Sequence, residues 1–128
     1  MKADIKSRED IDVLIRSFYD KVRRDETIGI IFNEVMHINW EHHIPVIVDF
    51  WDSVLLDADL YHANAMEPHF AINKIFPLKQ AHFDSWLRLF TTTVDEHFEG
   101  PVAKLAKTRA QGIAGIMQLK MDAINNKQ

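Results

Sequence analysis

An all-α fold is the expectation, and three features of the sequence lead to it. Apolar residues recur at three- and four-residue intervals over most of its length, the polar–apolar alternation of strands appears nowhere at length, and glycine is sparse, at four residues. With 47% hydrophobic residues, a chain of 128 can bury one sizeable core, so a single domain spanning 1–128 is expected.

Ser7, with Asp10 three residues on, reads as a capping-box start in which Asp is a weaker partner than Glu. Beyond it Ile11, Leu14, Ile15, Phe18 and Val22 share one face of a helix to about Arg24, with Tyr19 at its edge. Position alone makes Tyr19 a core-margin tyrosine whose hydroxyl reaches solvent. Asp25 to Phe32, with Gly29, reads as a turn followed by a short apolar helix or 3₁₀ segment. Asn39 can cap a helix carrying Trp40, His43, Ile44, Ile47, Val48, Phe50, Trp51, Val54 and Leu55, side chains that cover most of its circumference. Pro45 is comfortable only in a first turn, so that helix is expected either to begin near His42 or to open with distorted turns.

Asp57 to Phe76 shows no helical period and contains Asn64, Pro68 and Asn73; a long irregular stretch in a compact domain tends to be functional. After Pro77 the period returns, with Phe83, Trp86, Leu87, Phe90, Val94 and Phe98 marking a helix from about Lys79 to Phe98. Glu99-Gly100-Pro101 ends it and starts the next, Gly past the stop and Pro at a first helical position. The last helix is expected to turn Val102, Leu105, Ala106, Ile113, Ile116, Met117 and Ile124 inward and to fray near Asn125.

Lys plus Arg total 15 against 19 acidic residues, a net charge of -4 with no strongly basic stretch, which argues against nucleic acid as a partner. The absence of cysteine excludes disulfides, thiolate zinc sites, iron–sulfur clusters, thiolate-ligated haem and covalent C-x-x-C-H haem, so any iron would sit on histidine. Met1 to Asp10 has no signal-peptide apolar run. The longest apolar run, Ile44 to Trp51, is broken by Asp49 and too short to span a bilayer. A soluble, cytoplasmic protein with no membrane partner is expected.

Seven histidines, His37, His42, His43, His62, His69, His82 and His97, are many for this length. They form no H-E-x-x-H, and no two stand four residues apart; a non-haem metal cluster assembled from several helices is the lesser alternative. Ser17, Ser53 and Ser85 lack a nucleophile-elbow context, and no phosphate-binding P-loop occurs. His69, in Met66-Glu67-Pro68-His69-Phe70, is on position alone a loop residue with a satisfied ring.

Taken in order, several fragments carry more. Phe18-Tyr19, Ile31-Phe32, Trp40-Glu41-His42-His43, Phe50-Trp51-Asp52-Ser53-Val54-Leu55-Leu56, Pro68-His69 and His82-Phe83-Asp84-Ser85-Trp86-Leu87-Arg88-Leu89-Phe90 together resemble the group III truncated haemoglobins, short globins with a two-over-two helical sandwich. Ala106 to Ile113 matches more loosely, and the similarity runs from about Ser7 to Met121. Each fragment is unspecific, whereas the ordered set is specific. The resemblance implies one non-covalent haem b (iron protoporphyrin IX) on a five-coordinate iron, with His69 as proximal ligand. It implies Tyr19, His43 and Trp86 as polar distal residues and Ile47 as the apolar distal contact. Phe32, Trp51, Met66, Phe70, Phe83 and Leu87 are expected to line the cofactor pocket. The three-residue step from Trp40 favours His43 over His42 as the inward ring. The interval from His69 to Trp86 is longer than in some members, which implies a remodelled connection around Asn73 to Phe76.

Such a protein would bind O2, NO or another diatomic ligand reversibly, for oxygen storage or transport, as a monomer or weak dimer. Oxygen on ferrous iron takes on superoxide character, so Tyr O–H and indole N–H donors aimed at it stabilise the bound state. Each such bond is worth about 1.5–3 kcal/mol, enough to slow dissociation by roughly one to two orders of magnitude. The same donors could stabilise charge on a peroxide or nitric oxide adduct. Two rival readings therefore stand beside ligand binding: a haem enzyme, NO dioxygenase or peroxidase-like, served by a reductase, and a haem-free helical interaction domain.

Overall fold

The computed structural model describes residues 2–35, 40–56, 73 and 77–125. Helices carry them, with no strand among the described residues: α1 (Arg8–Arg24), a π-helical turn (Ile31–Val35), α2 (Trp40–Leu55), α3 (Gln80–His97) and α4 (Pro101–Asn125).

Ser7 caps α1, its hydroxyl accepting the Asp10 N–H at 3.3 Å. The reciprocal bond of a capping box is displaced by one residue, because the Asp10 carboxylate takes the Lys6 N–H at 2.8 Å. Glu9 and Asp10 in the first turn and Lys21, Arg23 and Arg24 in the last complement the helix dipole. Ile11, Leu14, Ile15, Phe18, Tyr19 and Val22 are all buried, each large apolar side chain contributing about 1.5–3 kcal/mol. α1 packs on both α2 and α3, which makes it the central element. Its end is fastened by Asp25, whose carboxylate takes the Thr27 and Ile28 N–H groups and an ion pair from Arg88 of α3 at 3.1 Å.

After a turn at residues 26–28 the expected short helix forms at Gly29 and Ile30 and continues as a π turn over Ile31–Val35. Ile28 and Ile31 are buried and Phe32 packs on Tyr19 and Trp40, so tertiary contacts of this stretch outweigh local preference. α2 begins at Trp40 and runs through Pro45 without interruption. Pro45 cannot bond the Glu41 carbonyl, but both residues are exposed and water can serve that oxygen. Ile44, Val48, Trp51, Asp52 and Leu55 form its buried face. Arg8 ties α1 to α2, reaching Asp49 at 2.7 Å and the buried Asp52 at 3.4 Å.

α3 opens with the Lys79 N–H donated to His82 Nδ1 at 2.9 Å. It folds back into α4 through Gly100, whose φ of +145° lies where a side chain is strained. A Cβ there would come within 2.5 Å of Asp4, the residue that caps α4 from the far end of the sequence. Asp4 accepts the Val102 N–H at 3.0 Å and the Ala103 N–H at 2.8 Å, and Glu99 N–H bonds Ala3 O at 3.0 Å beside it.

The inner face of α4 is the expected one in part, shifted toward its alanines. Ala103, Ala106, Ala110, Ala114 and Met121 are buried, whereas Ile116 and Ile124 are exposed and Val102, Leu105, Ile113 and Met117 lie at the margin. Small alanines let α4 approach α3 closely, and the branched side chains flank the contact. The α1–α2 layer thus rests on the α3–α4 layer, two helices over two. No helix among the described residues is long and apolar enough to cross a membrane.

Candidate functional site

Three helices aim polar side chains at one aromatic region. Tyr19 of α1 is 6% exposed, so its phenol lies inside the fold and not at the solvent margin. Around its ring stand Phe18 at 4.8 Å, Trp40 at 5.2 Å, Phe32 at 5.7 Å and His43 at 5.8 Å between centroids. His43 of α2 is half-buried and packs edge-on against Trp40, while the adjacent His42 is exposed. That difference follows from helical geometry, since His43 stands three residues from Trp40 and shares its face. Ile47, one turn further along α2, is half-buried against the core.

Trp86 of α3 reaches the same region from the other layer. Its indole meets Phe18 edge-to-face at 5.7 Å and lies nearly parallel to Phe90 at 5.6 Å. Burial pushes the Tyr19 phenol well above the usual tyrosine range, and a hydrogen bond with the Trp86 side chain offsets part of that rise. Tyr19 is therefore a protonated O–H donor throughout the physiological range, paired with an indole that can only donate.

The remaining expected lining residues divide into three groups. Phe32 is half-buried in the aromatic region, its ring stacked on Trp40 at 6.0 Å. Trp51 is a buried core residue, stacked on Phe90 at 4.7 Å, and Phe83 and Leu87 lie one turn apart on α3, the first buried and the second half-buried. Met66, His69 and Phe70 lie outside the described residues. No group of three or more histidine, aspartate or glutamate side chains suited to a metal ion occurs among the described residues.

Trp40 is the site-region residue that sequence reasoning used only to orient His43 and otherwise counted in an apolar stripe. It touches Tyr19, His43 and Phe32, and the Arg23 guanidinium sits 4.7 Å from its ring centroid. Arg23 also donates to the Tyr19 carbonyl at 3.4 Å. Its signal in the sequence was present, namely the three-residue step to His43 and the placement of Arg23 one turn after Tyr19. Chemically, the region offers O–H and N–H donors in an aromatic enclosure. Such a set suits a small ligand that accepts hydrogen bonds rather than a bare cation.

No family model matches the sequence. The group 3 truncated haemoglobin ctb of Campylobacter jejuni is 31% identical over 121 residues, which cover 92% of this chain and 93% of that protein. The crystal structure of group III truncated haemoglobin from Campylobacter jejuni matches with a TM-score of 0.83 at 30% identity, over 94% of this chain and 95% of that one.

Proposed function

Because the chain belongs to the group III truncated haemoglobins, we propose that it binds one non-covalent haem b through His69 and holds O2 or another diatomic ligand reversibly on the opposite face. Haem supplies an iron with one open position, which the chain itself cannot provide. The donor set fits that group: an O–H from α1 and an N–H from α3, linked to each other and walled by rings, leave no competing carboxylate among them.

The single observation that carries the reading is the buried Tyr19 phenol, which burial keeps protonated, with the half-buried Trp86 indole as its polar neighbour. Trp86 orients the Tyr19 oxygen, and Tyr19 keeps its proton for an acceptor that gains negative charge on binding. His43 borders the same rings, and Ile47 one turn further along α2 would limit water beside it. Two aimed donors favour slow ligand release over rapid delivery.

Haem titration of the purified apo-protein, followed by visible absorption, tests this. One haem is taken up per chain, and the reduced product binds carbon monoxide and oxygen reversibly. Failure to take up haem would leave a helical domain without cofactor and sink the reading.

A further inference from the structure

Arg8, Arg16, Arg24 and Arg88 each pair with an aspartate. Arg23, in the last turn of α1, instead lays its guanidinium over the Trp40 ring, 4.7 Å from the centroid, and donates from Nε to the Tyr19 carbonyl at 3.4 Å. Its own carbonyl accepts an Asn33 Nδ2–H at 2.9 Å, which ties the π turn to the same spot. Trp40 is the first residue of α2, and its ring stands 5.2 Å from Tyr19, 5.6 Å from His43 and 6.0 Å from Phe32. α1, the π turn and α2 therefore meet on one indole.

The turn that Trp40 opens is short of backbone bonds. The first amides of a helix have no intrahelical acceptor, and Pro45 has no N–H to give the Glu41 carbonyl. Side-chain contacts then have to set where this turn sits on α1. His43 shares the Trp40 face, three residues on, and its ring is 5.8 Å from that of Tyr19. A displacement of the indole is thus carried to the imidazole. A guanidinium over an indole is attracted by the negative face of the ring, and its planar shape lets it stack while its edge still donates. Arg23 thereby acts on Tyr19 through the backbone carbonyl and on His43 through Trp40.

We propose that Arg23 and Trp40 are positioning residues for the distal pocket: the guanidinium–indole stack clamps the first turn of α2 onto α1 and so fixes the His43 imidazole relative to the Tyr19 hydroxyl. The inference rests on the reading that these two groups face the bound diatomic ligand. Neither positioning residue has to touch that ligand.

The test uses Arg23→Met and Trp40→Leu in the haem-loaded protein. Three quantities are read: the infrared C–O stretching band of the carbon monoxide adduct, oxygen release by stopped flow, and thermal unfolding. Donors held against bound carbon monoxide lower its stretching frequency, so the band reports where the distal groups stand. In both variants the band moves to higher frequency, and oxygen release quickens by about two- to fivefold, the size of one partly exposed cation–π contact. A wild-type band in both overturns the inference even where the melting temperature falls, because that pattern marks a contact that serves the fold alone. A shift in Arg23→Met with a wild-type band in Trp40→Leu overturns it too, since the charge would then act at a distance and not through the stack. The reverse pattern overturns it as well, because the indole would hold its place without the cation. Should Trp40→Leu fail to fold, Arg23→Met decides alone. Tyr19→Phe separates the two ideas. If it leaves the band and oxygen release at their wild-type values, the distal reading itself is wrong. If it moves them while Arg23→Met and Trp40→Leu do not, the positioning role alone fails.

Discussion

Burial decides what the Tyr19 hydroxyl can do. At the margin of its helix a tyrosine would hydrogen-bond water, but the rings of Phe18, Phe32, Trp40 and His43 enclose this one and Trp86 is its polar partner. The sequence placed Tyr19 at the edge of a face, and only the resemblance suggested that it turns inward. The rings that enclose it come from segments periodicity cannot bring together. In the haem-loaded protein, Tyr19→Phe removes one charge-assisted donor, and stopped-flow measurement should show oxygen release faster by about tenfold or more. Trp86→Phe removes the neighbouring donor and should act in the same direction, with the double variant departing from additivity because the two groups would share one acceptor. The pH dependence has a definite sign. The folded phenol titrates above its unfolded value, so any stability it contributes is intact below about pH 10 and is lost as pH rises toward the folded value. Oxygen release should therefore show no tyrosine titration between about pH 6 and pH 9; an inflection in that range which Tyr19→Phe abolishes would contradict the assignment.

At the scale of the helices, periodicity placed α1 and α3 to within a residue or two, because each carries a stripe of large apolar side chains with identifiable ends. α4 was read in part: Ala106 is buried and Val102, Leu105, Ile113 and Met117 pack against the core as expected, but Ile116 and Ile124 are exposed. Its buried face is mostly alanine, which a hydrophobic pattern weights less than isoleucine, and close helix contact rather than side-chain size selects it. Nor could periodicity show that Asp4 caps α4, since the two lie almost the whole chain apart. Asp4→Ala strips the acceptor from two amides at that helix end and should cost about 1 kcal/mol of unfolding free energy in urea titration. Gly100→Ala should be at least as damaging, because its positive φ and the nearby Asp4 both oppose a Cβ. Burial works to raise the Asp4 carboxyl, but amide bonds from Val102, Ala103 and Ile5 outweigh it and hold the group below the usual carboxylate range. Its stabilising share is thus fully present above about pH 4 and is lost as pH falls through the folded value. An Asp4→Asn variant should show a weaker acid-side loss of stability than wild type.

For the molecule as a whole, the fold class was legible because helical period, scarce glycine and the absence of alternation all agree, and the ordered fragments narrowed it to a two-over-two arrangement. The candidate site was legible residue by residue only through that ordered set, since Tyr19, His43 and Trp86 lie on three helices and share no local motif. Trp40 was used to orient His43, but its own place in the region stayed hidden inside an apolar stripe. One assignment bears on everything else, the imidazole of His69 as the iron ligand. Its most direct measurement is the visible absorption spectrum of haem-loaded His69→Gly with and without added imidazole. The account predicts a displaced Soret band and changed spin state in the variant, both restored by imidazole; a spectrum identical to wild type without imidazole would contradict it.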